Sequence, residues 1–293
     1  MRAASPNHGF QRTRPRSAVD WTFSGAPLKP PPLGIAGVTA LFEHALAEME
    51  DLFEVLAGCV PPPAGVERGP SIAYRYAEQS AQQAIVQRLA RSISSLRAAV
   101  MLVDLGYLQE TATLQRAVDD FAEDIQFLSL GLMLDDDSVL QQKYLDHFYA
   151  EVIPDPSNPW SALGKRPSRV QRREIRQEIA RCERKLIGEH APSAANSARA
   201  VSSLYSSYVH GGSPSTMEMY GGLSPHFTLR GIPDSPLKDS HVADLVNQFY
   251  RTALAFGWAA KVLGAQGIDG RLQALQDLLA GPALGNSPDG GHS

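Results

Sequence analysis

Residues 107–134 read YLQETATLQRAVDDFAEDIQFLSLGLML, and this stretch decides the fold. Leu114, Val118, Phe121, Ile125, Leu128 and Leu132 recur in alternating steps of four and three. That is the a/d spacing that holds one apolar stripe of a helix against its neighbours. With Val118 at the centre of the stripe and about 100° per residue, Arg116, Asp120 and Glu123 share the opposite face. Phe127 and Leu134 continue that second face with apolar side chains. A helix greasy on two sides is expected to be buried at that end, with its charges turned toward an interior polar pocket.

Outward from this helix the same rhythm returns. From Ile35, the residues Val38, Phe42, Ala45, Met49, Phe53 and Leu56 form a stripe that Gly58 and Pro61-Pro62-Pro63 stop. After Pro70, with Ser71 as N-cap, the spacing predicts a second long helix through Ile85, Leu89, Ile93, Leu96, Val100 and Val103. Gly106 ends it so close to the central helix that the two must fold back as an antiparallel hairpin. Asp135-Asp136-Asp137 breaks the chain, and a shorter helix is expected over Ser138–Val152. Pro154–Pro167 reads as a loop, and Lys165–Lys185 as a basic helix. That helix packs on the edge formed by Ile175, Ile179, Cys182 and Leu186 and shows its arginines outward.

Ser193–His210 reads as a helix of small residues that Gly211-Gly212 terminates. Ser213–Pro236 is a long loop or a small hairpin, Thr216–Tyr220 against Phe227–Arg230. Asp239 or Ser240 should cap a last long helix through Val242, Val246, Phe249, Ala253, Phe256, Ala260 and Leu263. A short helix follows, Asp269–Ala280. The expected fold is all-α: a multi-helix up-down bundle over 35–280 with a small loop or hairpin insertion. It is flanked by disordered ends, a basic Pro/Gly-rich arm at 1–34 and a tail at 281–293.

Composition narrows the function more than it names it. In 293 residues the hydrophobic share of 43% supports a real core. The net charge of −4 gives no global pull toward nucleic acid or anionic membrane, so any such binding must be local. Cys59 and Cys182 make no zinc pattern, and reduced thiols in a cytoplasmic protein are expected. No apolar run approaches the ~18 residues that span a bilayer, so no membrane partner is expected. A di-iron bundle would carry Glu-x-x-His, whereas Glu43-His44, Asp146-His147 and Glu189-His190 are adjacent pairs that point apart on a helix. Phosphate-cradle and nucleophile-elbow motifs are absent as well. Neither a metal nor a cofactor is expected.

Three constellations carry candidate chemistry. Arg116, Asp120 and Glu123 could hold a carboxylate pair near a guanidinium for acid–base work, or simply pair with each other on a structural face. His210, with Tyr205 and Tyr208, stands before a Gly-Gly stop and a long loop, as at the edge of an active site; a histidine meeting a helix C-terminus is the plainer reading. In the basic helix, Arg173, Arg176 and Arg184 could contact a phosphate backbone, or be solvated and laced by Glu174, Glu178 and Glu183.

The order of these features resembles a known group. Leu114-Gln115-Arg116 with Asp119-Asp120 on a long helix, followed by Leu204-Tyr205-Ser206-Ser207-Tyr208-Val209-His210-Gly211, is similar to uncharacterised bacterial helical proteins loosely related to HEPN-type domains. HEPN ribonucleases and nucleotide-handling relatives carry Arg-x(4–6)-His on a bundle helix, often in defence or stress systems. Arg184 to His190 fits that spacing, as does Arg2 to His8, whereas the nearest arginine before His210 is Arg199. The resemblance implies binding of, or action on, RNA or a nucleotide, with Arg116, Asp120, Glu123, Tyr205 and His210 around the pocket. The alternative is a non-catalytic scaffold module, possible as a homo-oligomer through its heptad faces.

Overall fold

The computed structural model describes residues 35–68, 71–135, 138–151, 158, 160, 167–188, 205–221 and 224–283. The expected arm at 1–34, most of the loop at Pro154–Pro167, the small-residue stretch Ser193–Leu204 and the tail from 284 onward lie outside the described residues. The architecture is an all-α bundle. Its helices are α1 (Ile35–Ala57), α2 (Ala81–Asp104), α3 (Leu108–Leu134), α4 (Val139–Tyr149), α5 (Arg172–Ile187), α6 (205–209), α7 (Ser213–Met217), α8 (Lys238–Leu263) and α9 (Asp269–Ala283). Among the described residues two antiparallel ribbons interrupt them, β1 (Ala64–Arg68) with β2 (Ser71–Arg75) and β3 (Tyr220–Gly221) with β4 (His226–Phe227). Among the described residues no helix is long and apolar enough to cross a membrane.

The central position of α3 follows from its burial. Val118, Ile125 and Leu128 of the stripe are inaccessible, but so are Ala112, Phe127 and Leu130 away from it. α3 therefore packs against α2 on one side, α8 on another and α5 on a third. The stripe of α1 also widens in place, since Leu46 and Leu52 are as fully buried as Ala45 and Met49. Phe42 stacks on Phe249 at 4.7 Å between ring centroids, joining α1 to α8 in one core.

Several boundaries differ from the sequence reading. Ser71 does not cap a helix: it opens β2, and Ser71 to Arg75 pair in register with Arg68 to Ala64. The ribbon wins because Ile72 and Tyr74 alternate with small or polar residues, a period of two rather than 3.6. α2 starts ten residues later in the sequence, at Ala81, behind a complete capping box: Ser80 Oγ accepts from the Gln83 amide while Gln83 Oε1 accepts from the Ser80 amide. Neither Asp239 nor Ser240 caps α8, which begins at Lys238 with Leu237 at the N-cap position; the Ser240 hydroxyl instead donates back to the Leu237 carbonyl at 2.8 Å. The second hairpin exists but pairs Tyr220 with Phe227, and Ser213–Met217 ahead of it is helical.

Two close approaches fix the elements around the site. Gly106, at φ +77°, ends α2 against the chain at Ile232, whose amide donates to the Gly106 carbonyl at 2.9 Å. A Cβ there would stand 2.1 Å from the Ile232 backbone. On α3, Gly131 leaves the space that the Gln141 amide of α4 fills, and Gln141 donates from there to the Phe127 carbonyl at 2.8 Å. That seat presents Tyr144, His147 and Phe148 toward α2 and α5.

Candidate functional site

The charged face of α3 is covered by α5. Arg116 and Asp120 form the expected ion pair one turn apart. Arg172 then reaches from the first turn of α5 to Asp120 at 3.3 Å and to Asp124 at 2.7 Å, and Arg176 reaches Glu123 at 2.8 Å. The basic helix thus turns two arginines inward, against the expectation that it shows them to solvent; Arg173 and Arg184 do stay on its outer, exposed face. The reason is chemical: without arginines around them, Asp124 would be a buried unpaired charge and Asp120 and Glu123 half-buried ones.

Asp124 is the deepest member. It is fully buried, and its two oxygens face opposite partners, Arg172 Nη1 on one side and Arg88 Nη2 of α2 at 2.9 Å on the other. Arg88 is itself held by several partners. Its Nε and Nη2 donate to the Tyr144 hydroxyl at 3.1 and 3.0 Å. Its guanidinium lies 5.0 Å from the Phe121 ring centre and 4.7 Å from that of Phe148. Burial pushes the Tyr144 phenol well above its ordinary range, and the Asp124 carboxylate adds to that. The Glu123 carboxyl is raised mainly by burial, against the pull of Arg176. Burial disfavours the charge on Arg172, yet Asp124 and Asp120 outweigh it and the guanidinium stays firmly protonated.

A cavity of about 310 Å³ opens above this cluster, lined by Arg88, Tyr144, His147, Phe148, Arg169, Val170 and Arg172. His147 Nδ1 lies 2.7 Å from the Pro167 carbonyl. A carbonyl only accepts, so Nδ1 carries the proton and Nε2 is the remaining hydrogen-bonding atom of the ring. Arg169 at the rim is exposed and pairs with no carboxylate among the described residues. Arg88, Arg116, Arg172 and Arg176 thus pair with Asp120, Glu123 and Asp124, and Arg169 at the rim makes five arginines to three carboxylates.

The other flank of α3 carries a second polar seam, facing α8. Asp119 Oδ1 is 3.1 Å from Arg251 Nη1. Tyr205 donates to Asp244 beside that pair. Burial raises both carboxyls, Asp119 and Asp244, against the guanidinium of Arg251. Tyr208 donates to Glu218 at 2.9 Å, and its ring meets buried His241 edge-on.

The residues singled out from sequence are thus divided. Arg116, Asp120, Glu123 and Arg176 come together beneath the cavity; Tyr205 and Tyr208 belong to the α3–α8 seam; Arg173 and Arg184 point outward. His210 is exposed, and no interaction among the described residues joins it to Arg116, Asp120 or Glu123. His190, the partner of Arg184 in the HEPN-type spacing, lies outside the described residues. Arg88, Asp124 and His147 escaped the sequence reading as site residues. Asp124 had a signal: it interrupts the apolar run between Phe121, Ile125 and Leu128, where a charge needs partners. No family model, curated protein or solved structure matches this chain.

Proposed function

We propose that the protein binds RNA or a nucleotide through phosphate at the cavity between α2, α4 and α5. One observation carries this reading: Arg88, Arg169 and Arg172 line the cavity above a cluster in which four arginines pair with three carboxylates, and the rim arginine, Arg169, has no carboxylate partner among the described residues. Two positive charges are left over in a chain whose net charge is −4, so the attraction is local. Guanidinium forks are the groups that bind phosphate oxygens bidentately. The HEPN-type resemblance implies the same ligand class.

Fluorescence anisotropy with a short labelled single-stranded RNA at low salt tests the reading. Saturable binding is expected, weakened by added salt. Arg169→Ala should lower affinity about tenfold and reduce the salt slope by about one unit. Arg271→Ala, which removes a surface cation paired with Glu48 and Asp51 elsewhere, should leave it unchanged. No binding at low salt, or equal loss in both variants, overturns the proposal.

A further inference from the structure

The cavity offers a ligand charge, but its two large rings, Phe148 and Tyr144, are already engaged. Phe148 has the Arg88 guanidinium over it at 4.7 Å, Tyr144 stacked at 5.9 Å and Tyr149 edge-on at 4.9 Å. Tyr144 accepts two hydrogen bonds from Arg88 through its hydroxyl and packs edge-on against Phe127. A base entering here would displace those contacts before gaining the ~1–3 kcal/mol that stacking supplies. Val170 is the one aliphatic lining residue. At about 310 Å³ the space lies at the small end of ligand cavities.

The donors, by contrast, are set in place. Tyr144 and Asp124 occupy Nε and Nη2 of Arg88, which leaves Nη1. Nη1 of Arg172 donates to the Asp120 carbonyl and pairs with Asp124, and its Nε lies 3.3 Å from the Asp120 carboxylate without a hydrogen bond, which leaves Nη2 for a ligand. The carboxylates beneath hold both forks, so little side-chain freedom is lost when an anion arrives. Arg169 and His147 Nε2 complete the ring around the opening. The excess of two positive charges matches a phosphomonoester, at about −1.5 to −2 near neutral pH, better than a diester at about −1.

Resting on the phosphate-binding reading above, we propose that this cavity takes a terminal phosphomonoester, as on a nucleoside monophosphate or a 5′-phosphorylated RNA end, and does not read the base. Isothermal titration calorimetry at low salt with inorganic phosphate, ribose 5-phosphate, AMP, UMP, adenosine and the dinucleoside monophosphate ApU tests it. AMP, UMP and ribose 5-phosphate should bind within about threefold of one another, since no base stacking contributes. Each should bind at least about tenfold tighter than ApU, which carries one diester charge. Adenosine should not bind, and Arg169→Ala should weaken AMP about tenfold. Equal affinity for AMP and ApU, or more than tenfold discrimination between AMP and UMP, overturns the monoester assignment and leaves the phosphate-binding reading standing. So does binding of RNA without any of the small phosphates. Failure of RNA and every phosphate alike overturns both.

Discussion

Asp124 holds two arginines at once from a position with no access to solvent, which sets the energetics of the site. Asp124→Asn keeps the shape but leaves Arg88 and Arg172 facing a neutral amide. Breaking a buried charge pair from one side costs about 3–5 kcal/mol, so urea unfolding should show a loss near 3 kcal/mol. An unchanged midpoint would mean that the two guanidiniums are solvated. Gly131→Ala acts through space: its methyl would land 1.8 Å from the Gln141 amide and drive that side chain off the Phe127 carbonyl. The expected result is a stability loss of roughly 2 kcal/mol together with weakened RNA binding, because α4 carries three of the residues that line the cavity. At this scale the sequence was half legible. Arg116, Asp120 and Glu123 share a face by simple periodicity, whereas the partners Arg88 and Arg172 sit on other helices at unrelated positions.

Helix ends and faces obey local chemistry that can be tested separately. Ser80 caps α2 from both directions of a capping box, so Ser80→Ala should cost about 1 kcal/mol in urea unfolding without altering RNA binding. The α3–α8 seam sets a pH dependence. Asp119 and Asp244 bind their protons more tightly in the folded chain than in the unfolded one, mainly because they are buried. Their contribution is therefore full below the ordinary carboxylate range of about 4 and is lost as pH rises through the raised folded values. Asp119→Asn removes one titrating group, so the fall in stability as pH rises above about 4 should be shallower in the variant than in the parent. A steeper fall would contradict the burial argument. Element faces were read correctly where the apolar stripe is regular, as in α1 and α3. They were misread where tertiary partners decide: α5 turns Arg172 and Arg176 toward carboxylates that no local pattern reveals.

For the whole molecule, the heptad rhythm repeated in four long segments was enough to predict an all-α bundle, and that is the fold. Each stripe must be covered, and helices covering one another's stripes leave few other arrangements. The site was less legible because it depends on which helices become neighbours. Tyr205 and His210 stand five residues apart in sequence, yet Tyr205 is buried against α8 while His210 faces solvent. A loaded cavity between α2, α4 and α5 predicts where the molecule should stiffen. Hydrogen–deuterium exchange of the full chain with and without saturating 5′-phosphorylated RNA measures this directly. Slowed exchange confined to residues 139–149 and 167–176 is the predicted result; protection centred on 205–221 around His210, with 139–149 and 167–176 unchanged, would contradict it.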